Sequence, residues 1–92
     1  MSTLGFRFRN AYLATPLSLA AGSGYVQTVK MLLQFRAEID IEDRNQATPL
    51  HYAARKGRVD VVKVLIRSGA SCSLKDKDSH NALDIAIECG HE

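Results

Sequence analysis

Apolar residues recur at helical spacing in two stretches of the chain. Val26, Val29, Leu32 and Leu33 form one set, and Val59, Val62, Leu65 and Ile66 the other. Gln27, Lys30 and Gln34 fall on the opposite face of the first, as do Asp60, Lys63 and Arg67 on that of the second. Each stretch predicts an amphipathic helix. A shorter helix is predicted before each, from Thr15-Pro16-Leu17-Ser18-Leu19-Ala20-Ala21 and from Thr48-Pro49-Leu50-His51-Tyr52-Ala53-Ala54. Thr15 and Thr48 suit an N-cap, where a hydroxyl accepts an orphan backbone N–H. Pro16 and Pro49 suit the first helical position, where a missing N–H costs nothing. The alanine pairs let a neighbouring helix come close, and Gly24 and Gly57 break each short helix. Gly69 suits the left-handed cap after the second long helix. Beyond it, Cys72-Ser73-Leu74 alternates with period two, as Ile39-Asp40-Ile41 does earlier, and each predicts an extended stretch. Polar turn residues follow, Asp43 to Gln46 and Asp76 to Ser79.

The two patterns lie 33 residues apart, and the same shift reaches Asn81-Ala82-Leu83-Asp84-Ile85-Ala86-Ile87. A fixed period of this length points to stacked units rather than one closed core. The chain then reads as a single all-α domain over residues 1–92. Its units are 15–47 and 48–80, each built as helix, turn, helix and hairpin-like loop, and a partial third, 81–92, that stops before a second helix. Residues 1–14 fit the frame as the arm of a preceding partial unit, with Phe6 at the place of Ile39 and Phe8 at that of Ile41; a frayed tail is the other reading. About three units are needed to shelter one another's apolar faces. A solenoid truncated at both ends is therefore expected to be a fragment of a longer array, or a marginal domain that self-associates end to end.

Thr48-Pro49-Leu50-His51-Tyr52-Ala53-Ala54, then Gly57, Val61 to Ile66, Gly69-Ala70 and Asp76 resemble the ankyrin-repeat pattern, over residues 15–92. The resemblance implies a curved stack of antiparallel helix pairs with loops projecting at one edge. It implies that His51 bonds back to Thr48 and to the neighbouring loop. Ser18 and Asp84 hold the same place, so those units are expected to lose or alter that bond. Arg36 stands where Gly69 stands one unit later, and Gln46 and Ser79 stand where the family favours a turn glycine. Asn81 and Ala82 replace the opening Thr-Pro.

Composition adds little: 46% apolar, 24% charged and a net charge of +2. That suits a folded chain and names no partner. Residues 48–80 hold seven Lys/Arg against three Asp, a balance of +4, while residues 81–92 carry three acids and no Lys or Arg. Cys72 and Cys89 form no metal or redox motif and suit a reducing compartment. Residues 1–14 lack the apolar run of a secretory signal, and no stretch approaches the roughly 20 apolar residues of a membrane span. No direct membrane insertion by this segment is expected, and a cytoplasmic location is, with the nucleus open too.

Ser18, His51 and Asp84 form a serine, a histidine and an acid at equal spacing. On parallel helices about 8–10 Å apart they would not reach the roughly 3 Å contacts of a working triad. His80, Cys72, Cys89 and His91 lack the spacing of a closed zinc site. Gly22-Ser23-Gly24 follows a helix and lacks the Lys-Ser/Thr of a phosphate loop. The expectation is no enzyme and no cofactor.

Protein recognition remains. The resemblance places the contact surface on the loop tips and the outward face of the first helices. It selects Tyr12, Ala14, Gly22 and Ser23; Arg44, Asn45, Ala47, Arg55 and Lys56; and Lys77, Asp78, His80, Glu88 and Cys89. Tyr and Arg are favoured anchors, which puts Tyr12, Arg44 and Arg55 first. Thr15, Pro16, Thr48, Pro49, His51, Gly57 and Gly69 belong to the structural motif. The basic tips suggest an acidic segment on a protein partner. Two rivals stand beside this reading. One is a purely structural spacer in a long array. The other is nucleic-acid binding, for which the basic residues need not share a face and aromatics are few.

Overall fold

The computed structural model describes residues 14–82 and Asp84. Tyr12, Glu88 and Cys89, and the arm assigned to residues 1–13, lie outside the described residues. Four helices are described: α1 (Pro16–Ser23), α2 (Val26–Gln34), α3 (Pro49–Lys56) and α4 (Val59–Arg67). The short helices begin as their residues dictate. Thr15 and Thr48 hold extended backbone, and each hydroxyl accepts an N–H three residues on, from Ser18 and His51. Proline occupies the first turn of both.

Both short helices end on a left-handed glycine. Gly24 has φ +79° and Gly57 φ +70°. This conformation lets the chain close with paired bonds, Tyr25 N–H to the Ala20 carbonyl at 3.1 Å and Arg58 N–H to that of Ala53 at 2.9 Å. The chain reverses at once into α2 or α4, giving two helix pairs. α1 packs along α3 and α2 along α4. Leu17, Ala20 and Ala21 meet Leu50, Ala53 and Ala54 in one core with Val29, Val61 and Leu65. The alanines keep α1 and α3 close.

The second helices are placed as expected, but part of their apolar registry is not. Val61 is fully buried, whereas Val59 and Ile66 are about half exposed. Of the expected set, Leu65 is fully buried and Val62 packs against the core, while Val59 and Ile66 face outward; Val61, outside that set, takes the inward place where α4 packs on α2. The period-two segments also differ from expectation. Residues 39–40 and 72–73 are turns, and no strand occurs among the described residues. The projecting loops are hairpin-like only at their tips, where the Asp43 N–H donates to the Ala47 carbonyl at 3.0 Å and the Asp76 N–H to that of His80 at 2.9 Å.

Among the described residues, three other than glycine take left-handed backbone: Arg36 (φ +67°), Gln46 (φ +62°) and Ser79 (φ +65°). Arg36 closes α2 as Gly69 closes α4; their neighbours Ala37 and Ala70 donate to the carbonyls of Leu32 and Leu65 at 3.0 and 2.9 Å. A side chain in this conformation costs about 1 kcal/mol. Arg36→Gly should therefore raise stability by about 0.5–1 kcal/mol, read as a higher urea midpoint with an unchanged slope.

Candidate functional site

Two aspartates organise the projecting loops. One carboxylate oxygen of Asp43 accepts the N–H groups of Asn45 and Ala47, at 2.8 and 2.9 Å. Asp76, 33 residues on, accepts those of Asp78 and His80 at 2.9 and 3.1 Å. The second oxygen of each reaches α3. Asp43 accepts a short hydrogen bond from the Tyr52 hydroxyl. Asp76 lies 3.7 Å from the Arg55 guanidinium. Both acids are buried. Tyr52 and Arg55, three residues apart, thus carry one loop each.

These surroundings shift the ionisation of Asp76 and of Tyr52. Burial works against the charged form of Asp76, but the N–H groups of His80 and Asp78, helped by the nearby imidazoles of His51 and His80, outweigh it. Its carboxyl titrates below the usual carboxylate range. The Tyr52 phenol moves up, first through burial and then through its bond to the Asp43 carboxylate.

His51 completes the link between helix and loop. Its ring Nδ1 accepts the Thr48 N–H at 3.0 Å and lies 2.7 Å from the Thr48 hydroxyl. With Nδ1 accepting, Nε2 carries the proton and donates to the His80 carbonyl at 2.9 Å. This is the bond that the resemblance implied. The equivalent residues behave differently. The Ser18 hydroxyl accepts from that of Thr15 at 3.3 Å, within its own turn. Asp84 accepts the Asn81 N–H at 3.2 Å and returns its own N–H to the Asn81 side chain at 2.8 Å. Ser18, His51 and Asp84 therefore each serve a helix start. Among the described residues, no group of three His, Cys, Asp or Glu side chains is placed to hold a metal ion.

A family model described as ankyrin repeats (3 copies) matches residues 17–92. The chain belongs to the ankyrin-repeat family. Its helix pairs and projecting loops are the ankyrin-repeat fold, and ankyrin repeats generally serve as protein–protein interaction modules without catalysis. No curated protein matches the chain. No described helix is long and apolar enough to cross a membrane.

Within this ankyrin-repeat frame the residues singled out for contact divide into three groups. Arg44, Lys77 and Asp78 are exposed at the tips, and Lys56 is exposed at the end of α3. Asn45 and His80 are half-buried. The two tips touch through the Lys77 N–H, which donates to the Asn45 carbonyl at 2.8 Å. Arg55 is 54% exposed along its side chain yet already faces Asp76. Ala14 and Ala47 are a correction: both are buried, at 1% and 2% exposure, and belong to the core rather than the surface. Ala47 follows the tip directly and is drawn in by the Asp43 carboxylate. The tips are also less basic than expected. Arg44 adjoins Glu42 and Asp43, and Lys77 sits between Asp76 and Asp78.

Sequence reasoning missed Leu19 and Tyr52. Leu19 is the large exposed apolar side chain of α1, and Tyr52 holds the same place one unit later. The signal was available in the position that follows Ser18 and His51, where neither cap nor core fixes the residue type.

Two measurements check these linkages. Asp76→Asn should cost about 1–2 kcal/mol near pH 7, because charge-assisted bonds to two N–H groups and Arg55 weaken. With its folded pKa below the unfolded value of about 4, Asp76 stabilises fully above that pH and loses its contribution as pH falls through the folded value. The gap in urea midpoint between the variant and the parent should accordingly shrink as pH falls below about 4. His51→Ala strands the Thr48 N–H and opens a cavity in the core. About 2–4 kcal/mol should be lost in chemical denaturation.

Proposed function

We propose that the chain is a protein-binding module that presents its loop tips and the outward face of α1 and α3 to another protein. It works as a rigid scaffold and not as an enzyme. The observation that carries the reading is the Lys77–Asn45 bond between neighbouring tips. It supports one continuous surface in which Arg44, Asn45, Lys77 and Asp78 keep fixed spacing. The buried carboxylates of Asp43 and Asp76 hold the backbone beneath them, so little ordering entropy is lost when a partner docks. His80, Arg55 and Lys56 border the same surface, and Tyr12 stays a proposed anchor on sequence grounds.

The exposed Met31 and Phe35 of α2 and its following turn, with Ile66 of α4, support contact with further ankyrin repeats, in a larger protein or in a second copy. The free, exposed thiol of Cys72 is in keeping with a reducing compartment such as the cytoplasm.

Reversing charge at Arg44, Lys56 and Lys77 together to Glu tests the surface. Arg55 is left in place because its loss would also disturb Asp76. Cross-linking in cell extract followed by mass spectrometry should show partners of the parent chain depleted at least about tenfold with the triple variant. Circular dichroism should remain unchanged. Equal recovery with a folded variant would refute the surface assignment.

A further inference from the structure

The loop that follows α2 has a counterpart one period earlier in the chain. Phe6 holds the place of Ile39, Arg7 that of Asp40, Asn10 that of Asp43 and Tyr12 that of Asn45. The described loop shows what those places do. Ile39 lines a groove with Val64 of α4 and with Ser68, which follows that helix. One period back, Val64 and Ser68 become Met31 and Phe35, which are 49% and 62% exposed. The Asp40 carboxylate accepts the Ser71 N–H at 3.1 Å. The same step sets Arg7 against Glu38, an exposed residue of opposite charge.

Two features near the start of α1 agree with this register. Ala14 is as deeply buried as Ala47, which is drawn in by the turn closed on Asp43. The oxygen of an amide at Asn10 can accept two N–H groups, as one carboxylate oxygen of Asp43 does. Asn10 lacks the second carboxylate oxygen, which Asp43 offers to Tyr52. Leu19 stands at the place of Tyr52 and has no hydroxyl to give. Donor and acceptor are thus replaced together.

We propose that residues 1–13 dock as a further projecting loop on the α1–α2 end of the stack. Phe6 seats on Met31 and Phe35, Arg7 faces Glu38, and Asn10 closes the turn on the N–H groups of Tyr12 and Ala14. The apolar face of α2 is then covered in part by the chain itself. The interaction surface gains a tip as well. The Lys77 N–H donates to the Asn45 carbonyl at 2.8 Å. One period back, the Arg44 N–H meets the Tyr12 carbonyl, which fixes Tyr12 beside Arg44. The proposal goes beyond the protein-binding reading, because it holds whatever the tips contact.

The test is NMR on the full chain carrying methyl-labelled methionine. Met1 and Met31 are the two methionines, so Met31→Leu assigns the signal of interest. The Met31 methyl should show cross-relaxation with an aromatic ring that vanishes in Phe6→Leu. In Phe6→Ala the Arg44 amide should exchange at least about tenfold faster, while that of Lys77 keeps its rate. Circular dichroism confirms that each variant is folded. A mixture of labelled and unlabelled chains identifies the source of the ring. Cross-relaxation only between copies would overturn the proposal in favour of a second copy on this face. A Met31 methyl with no contact to Phe6, or an Arg44 amide indifferent to Phe6→Ala, would overturn it in favour of a tail that does not dock.

Discussion

Stacking helix pairs buries loop backbone, and each buried N–H must find an acceptor. That constraint shapes the chain more than any single apolar contact. An unmet amide would cost about 1–3 kcal/mol. Asp43 and Asp76 meet it by giving one oxygen to two amides each. Their remaining oxygens turn outward to Tyr52 and Arg55. The same side chains that satisfy the loops thus set where the loops stand against α3. Among the described residues, no buried side-chain nitrogen or oxygen lacks a partner.

The repeat is strict where polar groups must be matched and lax elsewhere. The glycine caps Gly24 and Gly57, the threonine caps and the loop aspartates recur with nearly the same bonds. The third place after the capping residue does not. It holds Ser18, His51 and Asp84, with three bonding arrangements. His51 has the reach to join its own cap to a distant carbonyl, while the Ser18 hydroxyl stays within its own turn and Asp84 bonds back to Asn81. Left-handed turn positions are equally uneven, since Arg36, Gln46 and Ser79 adopt what glycine would hold without strain.

Helix starts and helix ends were legible because each depends on residues within four positions of one another, and the stacked plan because those local signals recur 33 residues apart. Thr48 and His51 announced their cap, and Gly57 announced the turn. What escaped was decided at long range. Whether Val59 or Val61 faces inward depends on where α2 lies. The burial of Ala47 depends on the Asp43 carboxylate and the next helix. The Tyr52–Asp43 bond spans nine residues and two elements, and nothing in either neighbourhood signals it. The interaction surface was legible only in outline, because exposure at Arg44 or Lys77 is a local property whereas the engagement of Arg55 by Asp76 is not.

The bond from His51 to the His80 carbonyl also bears on how the chain assembles. It joins a helix start to backbone 29 residues downstream. The start of α3 is therefore finished only when the following loop has docked. Here the second pair takes the last contact it needs from the loop that follows it, so partial states at this junction are penalised and the two gain or lose order together.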